Sequence, residues 1–231
     1  STGTERQITS DLGNQLDPDI SGNNVVWLDD RNRDGNPDWY FDIYLYNLST
    51  NTERRITNET KPLLWPHISD DKIVWMDNRG DAYVDAWNIS LYDLSTNTER
   101  WITSSSYWDL NTFPAISGNK IVWNFTGESG VLTVSSYDLS TDTRFDIPNN
   151  YYDFWWPDIS GDYVIWQDDR ESTQTSLNTY LYDLSTHTEH WIANYASSPL
   201  LVDANGKQHA ISGERIVWAA SHILYDSNTD I

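Results

Sequence analysis

Short runs in which apolar and polar residues alternate recur along the whole chain, separated by Gly, Asn, Ser and Thr. The run Ile-Ser-Gly-Asn-Asn-Val-Val-Trp at 20–27 returns four times, and its later copies end at Trp75, Trp123, Trp166 and Trp218. A second run, Leu-Tyr-Asp-Leu-Ser-Thr-Asn-Thr-Glu-Arg-Trp-Ile-Thr at 91–103, has counterparts at 44–57, 136–147 and 181–192. Self-similarity at an interval of about 45 residues indicates an architecture that repeats one supersecondary unit.

Each unit predicts four short β-strands, which we call a, b, c and d. Strand b is the β-branched run that ends in the repeated Trp, strand c has the pattern Tyr-x-Tyr-x-Leu, and strand d is the segment Glu-Arg-x-Ile-Thr. Strand a contains Pro-x-Ile at 18–20, 66–68, 114–116 and 157–159, and 209–211 replaces it in the last unit. Tight turns are expected at a–b and c–d because Gly and Asn accept a positive φ.

The two ends of the chain complement each other. The fifth unit ends after strand c, at 222–226, whereas residues 1–9 align with the strand d at 95–103. An all-β fold is predicted: a five-bladed β-propeller of four-stranded antiparallel blades, with the ring closed by pairing of the N-terminal strand with the C-terminal blade. The chain, 1–231, is expected to be one domain, with blade cores at about 17–57, 66–103, 114–148, 157–193 and 209–231 plus 1–9.

Four motifs in a constant order carry a family resemblance. Pro-Asp-Ile-Ser-Gly is followed by Val-Val-Trp-x-Asp-x-Arg, by Asp-Ile-Tyr-Leu-Tyr-Asn-Leu-Ser-Thr and by Glu-Arg-Arg-Ile-Thr. This order resembles the TolB-like β-propeller repeat, in the version found in tandem in archaeal (methanogen-type) cell-surface proteins. The resemblance implies an extracellular location and a non-enzymatic role at the surface. The third and fifth units depart from it, because the Asp-x-Arg element occurs only as Asp29/Arg31, Asp77/Arg79 and Asp168/Arg170.

The composition is strongly acidic, with 35 Asp and Glu against 14 Lys and Arg and a formal net charge of -21. This charge repels phosphate backbones and anionic headgroups, so nucleic acid is not an expected partner. The absence of Cys excludes disulfides, thiolate metal sites and a Cys nucleophile. No apolar stretch of about 18 residues occurs, so no membrane insertion is expected. The 13 Trp and 14 Tyr predict a folded chain rather than a disordered acidic one.

Aromatic residues outside the repeat concentrate around the connections b–c and d–a. These connections lie on one face of a propeller, which we call the loop face, and variable loops on a rigid scaffold are where binding sites usually lie. Trp65, Phe113 and Trp156 precede strand a and are expected to surround the mouth of the central channel. Further candidate binding residues are Trp39, Tyr40, Trp108 and Trp155. Two interpretations stay open: the rings pack between blades, or they form surfaces for sugar rings and anchors for a protein partner.

Loop 30–38 matches the first nine positions of a calcium-binding loop, Asp-x-Asn-x-Asp-Gly-x-x-Asp. The candidate ligands, whose oxygens would converge on a hard cation, are Asp30, Asn32, Asp34, Asn36 and Asp38. The bidentate Glu that closes such a loop is missing, since its position holds Phe41. Calcium binding and an acidic surface turn neutralised by neighbouring Arg side chains are both compatible with this loop.

The residue after the Pro of strand a differs between units: it is Asp19, His67, Ala115 and Asp158, with Ala210 in the last unit. Two carboxylates and an imidazole at a channel could act as acid and base, although we favour their interpretation as channel lining. Because they lie at the predicted channel, Asp19, His67 and Asp158 are counted among the candidate ligand-binding residues. The Asp-x-Arg pairs recur at one position in three units. Their repetition indicates ion pairs or hydrogen-bonded corners at the end of strand b.

These patterns predict a secreted or cell-surface interaction module that binds a glycan or a cell-envelope protein through the loop face. It is expected to be a monomeric domain of a longer surface protein, without enzymatic activity. A carbohydrate-active enzyme, glycosidase or lyase, is the alternative, although none of the eight Glu falls on a predicted inner strand. A passive spacer of a surface-layer protein is the third option. Sequons at Asn47, Asn58, Asn88 and Asn124 permit glycosylation of an exported chain.

Overall fold

The computed structural model describes residues 3, 5–32, 40–58, 61–79, 86–104, 109–148, 154–168, 178–194, 209–213 and 215–218. Within these ranges all regular secondary structure is β-strand. The predicted all-β class is therefore confirmed. The same ranges contain no helix that is long and apolar enough to cross a membrane.

The strands form antiparallel sheets in which the order in space follows the order along the chain. The first sheet contains β1 (Gln15–Ser21), β2 (Asn24–Asp29), β3 (Asp42–Asn47) and β4 (Thr52–Arg55). The second contains β5 (Leu63–Ser69), β6 (Lys72–Asp77), β7 (Asn88–Asp93) and β8 (Thr98–Trp101). The third contains β9 (Leu110–Ser117), β10 (Lys120–Thr126), β11 (Leu132–Asp138) and β12 (Thr143–Asp146). The fourth contains β13 (Phe154–Ser160), β14 (Tyr163–Asp168), β15 (Asn178–Asp183) and β16 (Thr188–Asn194), and the hairpin of β17 (His209–Ser212) and β18 (Arg215–Trp218) follows.

Strand a is longer than its Pro-x-Ile signature, because the residues before the Pro also pair with strand b. Pro is tolerated there because strand a lies at the edge of its sheet. The pairing contains a bulge at the Pro, where the register shifts between Leu16 and Asp19 in β1 and between Leu64 and His67 in β5. Strands β9 and β13 have the same irregularity. The residue before each Pro therefore leaves the regular ladder.

The core lies between successive sheets. Trp75 of the second sheet packs against Val26 and Leu28 of the first, and Trp123 and Trp166 repeat this packing against the sheets that precede them. All three indoles are fully buried, which removes a large apolar area from water. The prediction that the repeated Trp residues form the core is confirmed for Trp27, Trp75, Trp123 and Trp166, whereas the side chain of Trp218 lies outside the described residues.

A serine at the end of each of the first four a strands joins its sheet to the next. Its hydroxyl oxygen accepts a hydrogen bond of 2.7–3.0 Å from a backbone N–H in the a–b turn of the following sheet. The pairs are Ser21 with Asp70, Ser69 with Gly118, Ser117 with Gly161 and Ser160 with Gly213. The first strands of successive sheets consequently lie side by side, and we call β1, β5, β9, β13 and β17 the inner strands.

The N-terminal segment packs on the first sheet, where Ile8 contacts the cluster that contains Trp27 and Tyr46. The guanidinium of Arg6 lies over the Tyr46 ring at 5.3 Å. The same cation–π contact joins strand d of one sheet to strand c of the next in Arg54–Tyr92 and Arg100–Tyr137, at 5.7 and 5.8 Å. Residues 5–9 thus lie where the strand d of a preceding sheet would lie. Their predicted partner, the segment around Ile223, is outside the described residues.

Candidate functional site on the inner strands

Three aromatic side chains from consecutive inner strands form one cluster, which we call the aromatic arc: Trp65 in β5, Phe113 in β9 and Trp156 in β13. The ring centroids of Trp65 and Phe113 are 4.5 Å apart with an interplanar angle of 45°. Those of Phe113 and Trp156 are 5.6 Å apart in an edge-to-face contact of 71°. Aromatic pairs prefer such tilted arrangements at these separations. All three residues are half-buried, so each leaves part of its surface exposed to solvent.

The bulge in each inner strand brings these rings together. Trp65, Phe113 and Trp156 precede Pro and have φ values of 49°, 54° and 45°, in the left-handed region that aromatic residues seldom adopt. This conformation costs on the order of 1–2 kcal/mol per residue relative to the right-handed one. The first sheet has Asp17 at this position, also left-handed, with φ 49°. The arc therefore ends at Trp65, beside an inner strand that contributes a carboxylate instead of a ring.

The carboxylates of Asp19 and Asp158 link neighbouring inner strands. Asp19 Oδ2 accepts a hydrogen bond of 2.8 Å from the N–H of Ile68 on β5. Asp158 Oδ2 accepts one of 3.3 Å from the N–H of Ile211 on β17. In both residues Oδ1 accepts the N–H of the next residue in the strand, at 2.8 and 3.0 Å. Each carboxylate thus holds a different pair of inner strands together.

His67 and Asp19 form the one pair of predicted acid–base residues that lie together in the described structure. His67 Nδ1 is 3.3 Å from Asp19 Oδ2, and the two side chains are 33% and 31% exposed. Burial opposes ionisation of Asp19, but the hydrogen bond and charge of His67 and the two backbone N–H groups outweigh it, so the pKa of Asp19 lies below its usual value. Asp158 lies two inner strands beyond β5, and β9 between them carries Ala115.

The loop aromatics are described only in part. Tyr40 is half-buried at the end of the b–c connection of the first sheet. Trp39 and Trp108 lie outside the described residues, and Trp155 is described as part of β13 without its side chain. Binding by these four residues stays a prediction.

The predicted calcium loop is described only at its start. Asp30 is buried and accepts hydrogen bonds from Asn14 through both carboxylate oxygens, at 2.7 Å from the backbone N–H and 2.8 Å from Nδ2. Asn32 Nδ2 donates to the Tyr44 hydroxyl at 2.5 Å. The other three candidates, Asp34, Asn36 and Asp38, lie outside the described residues, and the described ranges contain no group of three or more His, Asp or Glu side chains that could hold a metal ion.

Two of the three Asp-x-Arg pairs, Asp29/Arg31 and Asp77/Arg79, form the predicted hydrogen-bonded corners. Asp29 accepts the Trp27 indole N–H at 2.9 Å and a guanidinium N–H of Arg31 at 2.6 Å, and Arg31 also bonds to Glu53 in strand d. Burial raises the pKa of Asp29, but the hydrogen bonds from Arg31 and Trp27 outweigh burial. The pKa of Asp29 therefore lies below its usual value, and the carboxyl stays ionised. Asp77 and Arg79 repeat the arrangement in the second sheet, whereas Arg170 lies outside the described residues.

The third sheet builds the same corner from residues that the motif search missed. The Trp123 indole donates to Asn111 Oδ1 at 2.8 Å instead of to an Asp. Arg144, in strand d, lies over the Phe125 ring at 4.1 Å and bonds to Asp146 at 2.7 Å. Arg144 stands where the first, second and fourth units have Glu. The third unit lacks Asp-x-Arg but has this Arg in strand d, and this sequence signal could have revealed that its corner is built from other strands.

A cavity of about 230 Å³ opens beside this corner, between the second and third sheets. Polar groups of Ser104, Asp109, Asn111 and Arg144 contribute to its wall. The cavity lies where the d–a connection 105–108, which contains Trp108, joins the third sheet. The loop face therefore holds a polar recess in addition to the arc.

No protein-family model and no curated protein matches the sequence. Solved structures do match, among them TolB from Acinetobacter baumannii, with a TM-score of 0.59, 18% identity and coverage of 93% of this chain and 51% of TolB. An oligogalacturonate lyase in complex with manganese has a TM-score of 0.61 at 15% identity, covering 82% of this chain and 55% of the lyase. The β-propeller domain of the Trilobed protease from Pyrococcus furiosus, whose topology is termed open velcro, has a TM-score of 0.56 at 18% identity, covering 78% and 57%.

The chain has a β-propeller fold. TolB structures are among its neighbours, which supports the TolB-like resemblance at the level of architecture. Sequence identities this low establish a shared fold and not a shared function. The neighbours include enzymes as well as TolB. This chain spans 51–57% of the length of the three solved chains described above.

Proposed function

We propose that the propeller is a closed ring of five blades in which residues 5–9 complete the last blade as its strand d. The contacts of Arg6 and Ile8 with the first sheet support this closure, because a preceding strand d makes the same contacts elsewhere. In the described structure the sheets are not closed into a ring, and closure would cover the open side of the inner strand β1. Ile20 is 58% exposed, whereas its equivalents Ile68, Ile116 and Ile159 are 5%, 9% and 5% exposed against the sheets that precede them.

Cross-linking tests the closure, since the chain contains no Cys of its own. Closure places Ser212 beside the turn N–H of Gly22, as Ser69 lies beside that of Gly118. Ser212→Cys with Gly22→Cys should therefore cross-link within one molecule through a short bis-maleimide. Ser69→Cys with Gly118→Cys is the matched control, because the two glycines have φ values of 56° and 57°. Cross-linking of the control pair alone would contradict a closed ring.

The function proposed for this propeller is that of an extracellular or cell-surface interaction module. It binds a glycan or a cell-envelope protein through the loop face, without enzymatic activity, as a monomeric domain of a longer surface protein. The aromatic arc is the observation that carries this proposal. Its three rings have few rotatable bonds and are already packed on one another, so a ligand that covers them orders little that was mobile.

The hydrogen bonds that the inner-strand carboxylates already make favour a binding function over a catalytic one. Asp19 and Asp158 both accept backbone N–H groups from a neighbouring inner strand. A general acid must carry a proton during its cycle. Protonation of either carboxylate would weaken the hydrogen bonds that join two sheets, which fits a structural role for these residues.

The binding proposal is tested with a glycan array and with pull-downs from cell-envelope extracts, followed by titration of any ligand found. Trp156→Ala should weaken binding about tenfold or more, equivalent to about 1.4 kcal/mol, because anchor rings at the centre of an interface dominate its energy. Trp191→Ala is the matched control, since Trp191 is 54% exposed on the outer strand β16. Equal losses in both variants would contradict the arc, and no ligand in either screen would favour the passive spacer.

A carbohydrate-active enzyme is the second candidate, and the Asp19–His67 pair favours it. A carboxylate and an imidazole 3.3 Å apart, both about one-third exposed, can exchange a proton with a bound substrate. A panel of neutral and uronate polysaccharides tests this candidate by release of reducing or unsaturated ends. Activity that His67→Ala abolishes while Trp191→Ala keeps it would replace the binding proposal with this one.

Calcium binding by loop 30–38 remains part of the proposal. Calcium that binds only the folded chain should raise its melting temperature. A rise at millimolar calcium that Asp34→Ala removes would support the site. An unchanged melting temperature of the native chain would contradict it.

A further inference from the structure

Four Asn-x-Ser/Thr sequons begin at Asn47, Asn58, Asn88 and Asn124, and the structure places them in very different surroundings. We propose that Asn58 is the site at which the folded chain accepts an N-linked glycan. In the folded chain the other three sequons are inaccessible to a glycosyltransferase. This proposal goes beyond the binding function and shares with it only the extracellular location. It rests on the access of a transferase to the side-chain amide nitrogen, which must be exposed to be modified.

Asn88 and Asn124 are closed by burial. Their side chains are 2% and 1% exposed, at the start of β7 and within β10, which lies between β9 and β11. Asn88 Oδ1 also accepts a hydrogen bond of 3.2 Å from the Thr103 hydroxyl. The hydroxyl of Ser90, the third residue of that sequon, donates to the buried carboxylate of Asp77 at 2.6 Å. A transferase could reach neither sequon without separating the strands of its sheet.

Asn47 is closed by its hydrogen bonds rather than by burial. Its Nδ2, the atom that a glycan would occupy, donates to Asn24 Oδ1 at 2.7 Å. Its Oδ1 accepts the backbone N–H groups of Ser49 and Thr50, both at 3.0 Å. The Ser49 hydroxyl, the second recognition element of the sequon, also donates to this oxygen, at 2.6 Å. Both recognition groups of the sequon are therefore used to hold the c–d turn.

The side chain of Asn58 is neither buried nor held by a hydrogen bond to a described residue. It is exposed to solvent. The preceding residue, Thr57, is 2% exposed and anchored to the sheet, since its hydroxyl accepts the Ile43 N–H at 2.8 Å. The chain thus leaves the first sheet directly after Thr57, and Asn58 opens the d–a connection to β5.

A glycan at Asn58 would stand on the loop face. The d–a connections lie on that face, and the strand that follows this connection, β5, carries Trp65 at the end of the aromatic arc. The glycan would consequently border the proposed binding surface without covering the a–b and c–d turns. Its presence would limit the size of partners that approach the arc from the side of the first sheet.

The test uses a soluble N-glycosyltransferase that transfers one hexose from a nucleotide sugar to Asn-x-Ser/Thr, with products located by peptide mass spectrometry. The substrates are the folded chain and a tryptic digest of it, in which Lys and Arg positions place the four sequons in separate peptides. We expect the folded chain to gain one hexose, at Asn58. The digest should also be modified at the other sequons. Asn58→Gln and Thr60→Ala should each abolish modification of the folded chain, whereas Thr60→Ser should keep it.

Hexose on Asn47, Asn88 or Asn124 of the folded chain would overturn the proposal, as would an unmodified Asn58 in the folded chain, whether or not its tryptic peptide is a substrate. Unchanged melting temperatures of Asn58→Gln and Thr60→Ala would show that their loss of modification reflects the sequon and not unfolding. The reaction requires no ligand for the arc. Its failure is therefore distinguishable from a failure of the binding function.

Discussion

The carboxylates of Asp19 and Asp158 show how one side chain can join two sheets of this propeller. Each accepts two backbone N–H groups, one from its own strand and one from the next inner strand. Hydrogen bonds to a charged acceptor are stronger than those between neutral groups. The sequence singled out these positions because they vary between units, but the interpretation as acid–base candidates did not foresee their bonds to backbone.

Replacement of Asp19 by Ala should lower the free energy of unfolding by about 2 kcal/mol at pH 7, the scale of hydrogen bonds to a charged group. The pKa of Asp19 is lowered in the folded state, so its stabilising effect is present above the unfolded-state pKa and is lost as the pH falls through the folded-state pKa. Urea unfolding from pH 7 to pH 3 should show the difference between the native chain and the variant shrinking below about pH 4. A difference independent of pH would contradict the role of the charge.

The hairpin between strands a and b is the element on which the links between sheets depend. Its turn residue is Gly22, Gly118, Gly161 and Gly213 in four units, with φ values of 56–60°. The second unit has Asp70 there, with φ 53°. Because the N–H of this residue donates to the serine of the preceding sheet, the left-handed conformation serves both the turn and the contact between sheets.

Exchange of the turn residues should shift stability in opposite directions. Asp70→Gly should raise the free energy of unfolding by up to about 1 kcal/mol, because Gly adopts the left-handed conformation without a steric cost. Gly118→Ala should lower it by about 1 kcal/mol for the same reason, since a Cβ at Gly118 meets no other atom and only the backbone is strained. Thermal unfolding of both variants measures these shifts. A stabilising Gly118→Ala would show that the turn is not left-handed in solution.

At the level of elements, strands b, c and d were predictable because their alternation and their turn residues agree. Strand a was predicted too short, since Pro masks the pairing of the residues before it and only the bulge restores that pairing. The corner of the third sheet was missed because Asn111 and Arg144 come from strands a and d. The Asp-x-Arg motif covers only the end of strand b. A local sequence pattern reveals a corner that the same strand forms in each unit. A corner that residues from other strands form is recognised only once the structure shows which strands are adjacent.

For the whole molecule, closure of the ring decides whether the first sheet has one covered face or two. Ile20, Leu16 and Pro18 on β1 are exposed in the described structure, and Ile20 occupies the position that is buried in the second, third and fourth sheets. An apolar strip of this kind gains stability only when another sheet covers it. The N-terminal segment covers the neighbouring Trp27 side of the same sheet.

Ile20→Ala separates a closed from an open ring. In a closed ring its cost should approach that of Ile68→Ala, about 2–4 kcal/mol, because both side chains would then be buried against a preceding sheet. With an open ring the cost should stay within about 0.5 kcal/mol, as at other exposed positions. Urea unfolding of the two variants in parallel gives the comparison. A negligible effect of Ile20→Ala beside a large effect of Ile68→Ala would contradict closure.

The repeat, the strand order within a unit and the identity of the buried Trp residues were determined by the sequence alone, because alternation and turn chemistry act over a few neighbouring residues. The mutual packing of Trp65, Phe113 and Trp156, the links made by Asp19 and Asp158 and the exposure of Asn58 were decided only by the tertiary structure. Each of these features depends on residues about 45 positions apart in sequence, or on which side chains the neighbouring strands cover. No local pattern encodes that information, because it arises when separate sheets pack against one another.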